Sequence, residues 1–280
     1  MKNGEHRMEL KISLAGDLGS GKSTVSDIII RETGAEYYST GKVCRAIADK
    51  YGFDVVEMNK YMETHPEIDK EIDDGIRALS DLDKRLIIDS RMAWHFVRDT
   101  FKVYLSVDLM ESAHRIFRAN RSTEHFESEE ETAEKIRERK ASERRRYKEL
   151  YGVDCKDLTN YSLVLDTTFA SPEDVANVIL SVAEEWERNH AYKGCYICPN
   201  RLLFPSDGAE LDYVHDLAVQ LELNEYIPEI KVVEDDGNFY ITEGTASALA
   251  HVMNDDVFIP CRLVAGKKPD GDFVRLANSL

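Results

Sequence analysis

The chain has 280 residues, of which 42% are hydrophobic and 32% charged, a composition typical of a soluble globular protein. Its 53 acidic and 36 basic residues give a formal net charge of -17, which argues against bulk binding to nucleic acid or to an anionic membrane. An anionic ligand must therefore be held by a local cluster of Lys and Arg. The sequence has no run of eighteen apolar residues, no secretion-signal pattern and only five scattered cysteines, so we expect a cytoplasmic protein.

Short apolar runs alternate with longer helical patterns between residues 9 and 189. Apolar and β-branched residues predict strands at 10–15, 35–39, 85–89, 102–107 and 162–167. Helix-length segments separate these strands, and that alternation is typical of βαβ units. The sequence therefore predicts an α/β fold in which a parallel sheet is covered by helices.

Two helices complete this first domain. The segment 128–151, SEEETAEKIRERKASERRRYKELY, has few apolar positions, so it either stands in solvent or closes over a charged ligand. The segment 171–190 begins with Ser-Pro followed by acidic residues, which is the pattern of a capped helix N-terminus. We place the end of the first domain, residues 1–190, after this helix.

The sequence pattern changes after residue 190. An amphipathic helix is predicted at 210–223, a hairpin around the Asp-Gly turn of EIKVVEDDGNFYIT, a helix at 246–253 and a strand at 257–265. Residues 191–280 are therefore expected to form a second, small α+β domain.

The stretch GDLGSGKST, residues 16–24, lies between the first predicted strand and the first predicted helix. Its glycines and lysine have the spacing G-x-x-x-x-G-K-[ST], in which backbone N–H groups and a helix N-terminus converge on phosphate oxygens. Lys22 supplies a mobile positive charge, and Ser23 offers a hydroxyl to Mg²⁺. The alternative is a tight glycine-rich turn without a ligand. We expect the phosphates of a nucleotide to be bound by Gly16, Gly19, Gly21, Lys22, Ser23 and Thr24. This loop alone does not separate a small-molecule kinase from a motor protein, a GTPase or a regulatory ATPase.

Two further strand ends carry polar residues. The stretch STGKVCR begins at Ser39 and ends at Arg45, and the stretch IIDSR ends with Asp89, Ser90 and Arg91. An acidic residue at such a strand end can hold Mg²⁺ through water, and two arginines can contact one phosphate. The alternative for Arg45 and Arg91 is a pair of surface salt bridges.

The polar helix has a third set of charged residues. Arg139, Glu143 and Arg146 follow each other at helical spacing, so they share one face. The preceding helix has a similar face, which carries Arg115, Arg118 and Arg121. Together with the connecting loop STEHFE, these faces indicate a lid that closes over phosphates. The alternative is a solvated helix stabilised by ion pairs along its own length.

The first domain resembles the cytidylate (CMP) kinases of the nucleoside monophosphate kinase family, in the compact branch without a long insertion. The resemblance covers residues 9–183, and its matching stretches are, in order, GDLGSGKST, YYSTGKVCRAIADKYG, YMETHPEIDKEIDD, IIDSRMAWHF, KVYLSVDLMESAHRIFRAN, RERKASERRRYKELYGVD and LVLDTTFASPEDV.

The resemblance implies a role for each matching residue. It implies that Thr40, Gly41 and Arg45 border the acceptor nucleotide, that Arg45 and Arg91 contact its phosphate, and that Glu143 lies near its sugar. Two positions depart from the family: Ser39 stands where relatives often have Asp, and Met92 replaces the second Asp of a D-G-R-D motif. The base preference is therefore less firmly implied than the reaction.

The expected reaction is transfer of a phosphoryl group from ATP to CMP or dCMP. Such a reaction needs two aligned and neutralised phosphates rather than a general base. We expect Lys22, Asp89, Arg139 and Arg146 to be catalytic, and Ser23 and Asp89 to hold Mg²⁺. A kinase of another small acceptor and a nucleotide-sensing regulatory protein are the alternatives.

The second domain weakly resembles the ParB/sulfiredoxin-like fold over residues 195–266. The family usually has basic residues in the turn that corresponds to Glu243–Ser247, and this chain has none there. The resemblance therefore implies a regulatory role or a protein partner rather than catalysis, with a plain packing domain as the alternative. Cys195 and Cys198 form a single C-x-x-C, which could give half of a zinc site with His215, His251 or Cys261 as completions. No second pair occurs at the usual spacing, so we do not predict a metal site there.

Overall fold

The computed structural model describes residues 10–53, 55–119, 126–208 and 210–275. Its strands are β1 (Lys11–Gly16), β2 (Glu36–Ser39), β3 (Leu86–Asp89), β4 (Phe101–Ser106), β5 (Leu163–Asp166), β6 (Gly194–Ile197), β7 (Leu202–Pro205), β8 (Lys231–Asp235), β9 (Asn238–Glu243), β10 (Ile259–Leu263) and β11 (Phe273–Arg275). Its α-helices are α1 (Lys22–Thr33), α2 (Thr40–Tyr51), α3 (Val55–Met62), α4 (Pro66–Ala78), α5 (Ala93–Phe96), α6 (Leu109–Arg118), α7 (Glu129–Tyr151), α8 (Pro172–Arg188), α9 (Leu211–Glu222) and α10 (Thr245–Met253).

The first five strands form a parallel sheet in the order β2-β3-β1-β4-β5. Each lies within about one residue of the strand that the apolar pattern predicts. Residues at alternate positions of these strands pack on opposite faces: Val103 joins the core under α1 and α8, while Tyr104 joins the core on the other face. The predicted α/β fold, a parallel sheet covered by helices, is confirmed.

Helix boundaries follow the local capping residues. The helix α7 begins at Glu129 because the Ser128 side chain accepts a hydrogen bond from the backbone of Glu131. The helix α8 begins at Pro172 because Ser171 caps it in the same way. No helix in the described part of the chain is long and apolar enough to cross a membrane.

The C-terminal strands continue the same sheet. The strand β6 pairs in parallel with β5, and the remaining strands follow in the order β10-β8-β9-β7-β11. Backbone hydrogen bonds therefore cross the domain boundary predicted at residue 191: the Gly194 N–H donates to the Ser162 carbonyl at 2.8 Å. One buried cluster contains Tyr104 and Val164 together with Phe239 and Ile241 of the C-terminal segment.

Parallel strands bring several loops to one edge of the sheet. The carboxyl ends of β1, β3, β4 and β5 lie side by side, since Leu14 is in register with Asp89 and Gly16 with Leu105. Ligands of open α/β sheets bind outside such carboxyl ends. The polar loops that the sequence singles out therefore meet at this edge.

The shared core predicts that both parts of the chain unfold together. Ile241 is fully buried in β9, so Ile241→Ala is expected to lower the free energy of unfolding by about 2–5 kcal/mol. Both tryptophans belong to the N-terminal part: Trp186 packs in the core under α1 and α8, whereas Trp94 packs in the cluster that contains Ile241. We expect fluorescence and far-UV circular dichroism to give one common, lowered denaturation midpoint.

The matched control is Val274→Ala, which truncates a half-exposed side chain in β11 and is expected to change stability by about 0.5 kcal/mol or less. A tryptophan transition that Ile241→Ala leaves unchanged, while circular dichroism shifts, would show two independent folding units instead.

Candidate active site

The loop between β1 and α1 has the backbone geometry of an anion-binding loop. Gly16 has φ 156° and lies so close to β4 that a Cβ atom would be 2.5 Å from the Leu105 carbonyl oxygen. Gly19 has φ 72°, and a Cβ atom there would be 2.9 Å from the Ser112 carbonyl oxygen. The N-cap residue of α1 is Gly21, which has no side chain to accept hydrogen bonds from the first turn. The backbone N–H groups of that turn are therefore left for an anion.

Lys22 starts α1 and points back over this loop. Its Nζ donates to the carbonyl oxygens of Gly16 and Asp17, at 3.1 and 2.8 Å. Burial lowers the pKa of Lys22 to about 8, against the opposing attraction of Asp89. Lys22 therefore lies in the electrostatic field of Asp89. The catalytic role expected for both residues stays a prediction.

Asp89 ends β3 beside the same loop. Its Oδ2 accepts a hydrogen bond from the Tyr37 hydroxyl at 2.9 Å, and its carbonyl oxygen accepts one from the Thr40 hydroxyl at 3.3 Å. Burial, followed by the Asp89 charge, raises the pKa of Tyr37 to about 12, and Ser23 also interacts with this phenol. Tyr37 thus lies against both expected magnesium-binding residues. Their hydroxyl and carboxylate oxygens are the hard ligands that Mg²⁺ prefers. The remaining loop residue, Thr24, is exposed in the first turn of α1.

A buried charge network inside the loop was missed by the sequence analysis. Asp17 is 7% exposed, and its Oδ1 pairs with Lys156 at 2.6 Å and with Lys140 of α7 at 2.9 Å. The Tyr104 hydroxyl and the Val107 N–H donate to the same carboxylate, at 2.9 and 3.3 Å. Burial alone would raise the pKa of Asp17, but the two lysines hold it well below its ordinary value.

The predicted lid residues meet the predicted acceptor residues in a pocket beside the loop. Glu143 of α7 pairs with Arg91 at 2.6 Å and with Arg139 at 3.0 Å. Arg146 lies one turn further along α7 and pairs with Asp69 of α4 at 3.3 Å. The same pocket is lined by the remaining acceptor residues of the prediction, Thr40, Gly41 and Arg45.

The shifts in pKa follow from these pairs. Burial disfavours the Glu143 charge, yet Arg91 and Arg139 lower its pKa, so it is ionised. Burial also disfavours the Arg91 charge, and Glu143 more than offsets this by raising its pKa. Buried carboxylates thus orient three arginines of the pocket: Glu143 pairs with Arg91 and Arg139, and Asp69 pairs with Arg146.

The opposite wall of the pocket comes from α3 and α4. Met58, Met62, Ile72 and Ile76 line it with apolar surface. Asp69 and Asp73 of α4 also line it, and Asp73 accepts a hydrogen bond from the Tyr151 hydroxyl. Burial raises the pKa of Asp73 to about 6. The sequence analysis gave these two carboxylates no role, although their i, i+4 spacing places them on one helix face.

The structure describes two of the three arginines predicted on the helix before α7, Arg115 and Arg118. The Arg115 guanidinium contacts the loop directly, donating to the Gly19 carbonyl at 3.3 Å. Arg118 is exposed at the end of α6. Arg121 and most of the STEHFE loop lie outside the described residues.

The single C-x-x-C does not lie in a cluster of metal ligands. No group of three or more His, Cys, Asp or Glu side chains that could hold a metal occurs in the ranges that the structure describes. The Cys198 thiol donates to the Asp166 carbonyl at 3.6 Å, and His251 interacts through Nδ1 with the Asp256 carboxylate at 2.7 Å. All five cysteines are free thiols.

Comparison with known proteins assigns the class. The model of the cytidylate kinase-like family matches residues 11–169, more than half of the chain. The protein belongs to this family and is a phosphotransferase with a P-loop kinase fold, as the sequence predicts. The match ends before β6, so the expected resemblance of the C-terminal segment to the ParB/sulfiredoxin-like fold stays a prediction.

Individual relatives agree with this assignment. The cytidylate kinase of Thermoplasma volcanium is 36% identical over 188 residues, covering 65% of this chain and 96% of that protein. The cytidylate kinase of Sulfolobus acidocaldarius is 36% identical over 176 residues, covering 62% of this chain and 93% of that protein. An S-adenosylmethionine-dependent nucleotide dehydratase of Lacinutrix mariniflava is 35% identical over 185 residues, covering 66% of this chain but 37% of that protein.

The Asp17 network predicts a pH-dependent contribution to stability. Asp17→Asn leaves two lysines facing a neutral side chain, and it is expected to lower the free energy of unfolding by about 3 kcal/mol at pH 7. Because the folded-state pKa of Asp17 is lowered, this stabilisation is fully present above the ordinary pKa of about 3.9 and is lost as the pH falls from there toward the folded-state value.

Urea denaturation of both proteins between pH 7 and pH 3 measures this difference. We expect it to be constant down to about pH 4 and to shrink below that. The matched control is Asp27→Asn on the exposed side of α1, with an expected effect of about 0.5 kcal/mol or less. A difference that stays constant through the acid range would mean that the lysines do not stabilise the Asp17 charge.

Proposed function

We propose that this protein transfers the γ-phosphoryl group of ATP to CMP or dCMP. An oxygen of the acceptor phosphate forms a bond to the γ-phosphorus, the bond from that phosphorus to the β–γ bridging oxygen breaks, and ADP leaves. One observation carries the proposal: the phosphate loop with Lys22 and Asp89 adjoins a pocket in which Arg91, Arg139 and Arg146 are held by buried carboxylates. A donor phosphate and an acceptor phosphate would meet there.

The residues of the site act by alignment and charge neutralisation. The acceptor phosphate is already anionic at neutral pH, so its attack needs no general base. Glu143 orients Arg91 and Arg139 before phosphates arrive, which reduces the reorganisation that the reaction would otherwise require. Lys22 would follow the transferring group from the loop, and the lid helix α7 would exclude water.

Magnesium belongs to the proposal through Ser23 and Asp89. Bound Mg²⁺ would neutralise charge on the phosphates of ATP. The Tyr37 phenol keeps the Asp89 carboxylate directed at the loop by its 2.9 Å hydrogen bond. A cytoplasmic location is also proposed, because five free thiols fit a reducing compartment.

Two acidic side chains support cytosine as the acceptor base. Asp69 and Asp73 offer carboxylate oxygens inside an otherwise apolar part of the pocket. An exocyclic amino group, as in cytosine, donates to a carboxylate, whereas the corresponding carbonyl of uracil is repelled by it. Asp69 and Asp73 would supply a contact to the base in place of the second Asp of the family motif, where this chain has Met92.

The reaction is tested by ADP production from Mg·ATP with CMP, dCMP, UMP, AMP, GMP or no acceptor. We expect turnover with CMP or dCMP, and a loss of about 100-fold or more in Lys22→Ala, because that ammonium is lost from the transferring phosphate. The matched control is Lys50→Ala on the exposed surface of α2, which should keep full activity. If no acceptor of this set leads to ADP production while ATP still binds, the result would favour another acceptor or a sensor role.

The base preference has its own test in Asp73→Asn. An asparagine amide both donates and accepts, so we expect the preference for CMP over UMP in kcat/KM to fall by about tenfold. Because the pKa of Asp73 is about 6, its carboxylate is ionised above that pH, and the wild-type preference should also decline as the pH falls below 6.

The matched control is Asp74→Asn, since Asp74 is the adjacent exposed carboxylate and pairs with Arg77. It should leave the preference at neutral pH unchanged. Because the Asp74 charge helps to raise the pKa of Asp73, the decline in preference should move to lower pH in this control. An unchanged preference in Asp73→Asn would instead place base recognition on other residues of the pocket.

A further inference from the structure

The order of the strands places the two nucleotides on opposite sides of the phosphate loop. The strand β1 leads into the loop, with β3 on one side and β4 on the other. The acceptor pocket lies on the β3 side, where Asp89 ends the strand and Arg91 follows two residues later in the wall of the pocket. A nucleotide whose phosphates occupy the loop must therefore extend its sugar and base over the ends of β4 and β5.

Arg115 connects the phosphate loop to the segment that follows β5. Its guanidinium donates to the Gly19 carbonyl of the phosphate loop, and also to the carbonyls of Thr167 and Thr168, both at 2.8 Å. The segment 167–169, which follows β5, is thus attached to the phosphate loop through one side chain. Its conformation determines the surface next to the donor nucleoside.

Arg201 holds the same segment from the C-terminal part of the chain. Its side chain is 2% exposed, although arginine is rarely buried without partners. Its Nη1 donates to the Asp108 carboxylate at 3.0 Å, its Nη2 donates to the Gly237 carbonyl at 2.7 Å, and its Nε lies 3.5 Å from the Asp166 carboxylate. One guanidinium therefore connects the β8–β9 hairpin to the ends of β4 and β5.

The carboxylates of Asp108 and Asp166 contact groups beside the proposed donor site. Asp166 accepts a hydrogen bond from the Thr168 hydroxyl at 2.6 Å, and that hydroxyl oxygen accepts one from the Asp108 backbone at 3.0 Å. Asp108 also caps α6, the helix that carries Arg115. The contacts run without a break from Arg201 through these groups to Arg115 and Gly19.

We propose that Arg201 is a positioning residue for the donor nucleotide, so that the C-terminal segment forms part of the ATP site. It fixes the segment 167–169 and the start of α6 through Asp108 and Asp166. It has no contact in the acceptor pocket within the described residues, so its effect falls on ATP and not on the acceptor. The inference rests on the proposed binding of ATP by the phosphate loop.

The first test compares ligand affinities in the full chain. Arg201→Met is expected to weaken binding of a non-hydrolysable ATP analogue by about tenfold and to raise the KM for ATP equally. The KM for CMP and the kcat at saturating ATP should change by about twofold or less. Arg201→Lys should restore part of the affinity, because lysine keeps the charge but cannot contact all three partners at once.

The matched control is Arg262→Met, which removes an exposed arginine of the same segment that pairs with Glu229. It should leave every constant unchanged. Equal losses for ATP and CMP in Arg201→Met, or no loss at all, would overturn the proposal. Binding of the ATP analogue and of CMP can also be measured without turnover, so a failure of the kinase reaction would leave this comparison of affinities intact.

A second test needs no substitution and applies even if Arg201→Met does not fold. Hydrogen exchange of the wild-type chain is measured with the ATP analogue, with CMP and without ligand. We expect the backbone amides of residues 198, 200, 201 and 237–239 to exchange more slowly with the analogue and to be unaffected by CMP. No slowing there with saturating analogue would contradict the coupling.

Discussion

The site depends on a carboxylate that the fold places inside its own phosphate loop. Asp17 lies where anionic ligands are expected, and its charge would oppose them if it were not neutralised. Lys140 of the lid helix and Lys156 near β5 supply that neutralisation at 2.9 and 2.6 Å. The same contacts connect the loop to two distant parts of the chain. The conformation of the phosphate loop is therefore coupled to the position of the helix that carries Arg139 and Glu143.

Paired charges also explain how an acidic protein handles anionic substrates. The net charge of -17 repels phosphates at long range, so binding must come from a local arrangement. Glu143 pairs with Arg91 and Arg139, and Asp69 pairs with Arg146, so each of these three guanidinium groups in the pocket has a carboxylate partner. The site therefore combines a modest local charge with donor groups that are already in position, which is the requirement of phosphoryl transfer.

The C-terminal segment is structurally continuous with the kinase fold. Its first strand extends the parallel sheet, and its core residues pack with those of β4 and β5. Arg201 adds a polar connection to Asp108 and Asp166, at the edge of the sheet where we propose that the donor nucleotide binds. These contacts give a physical route by which a ligand or partner of that segment would act on nucleotide binding.

Local sequence patterns determined the strands, the capped helices, the phosphate loop and the strand-end residues Asp89 and Arg91, because each depends on neighbours within a few residues or on one turn of helix. The resemblance of the first domain to the cytidylate kinases was confirmed for the same reason, since its motifs are contiguous. Asp17 with its lysines, Asp69 with Arg146, and Arg201 with Asp166 could not be predicted as pairs, because the partners are 35 to 139 residues apart in the chain. The chain has many charged residues, and only the tertiary structure decides which of them form buried pairs, since burial and distance set the energy of each pair.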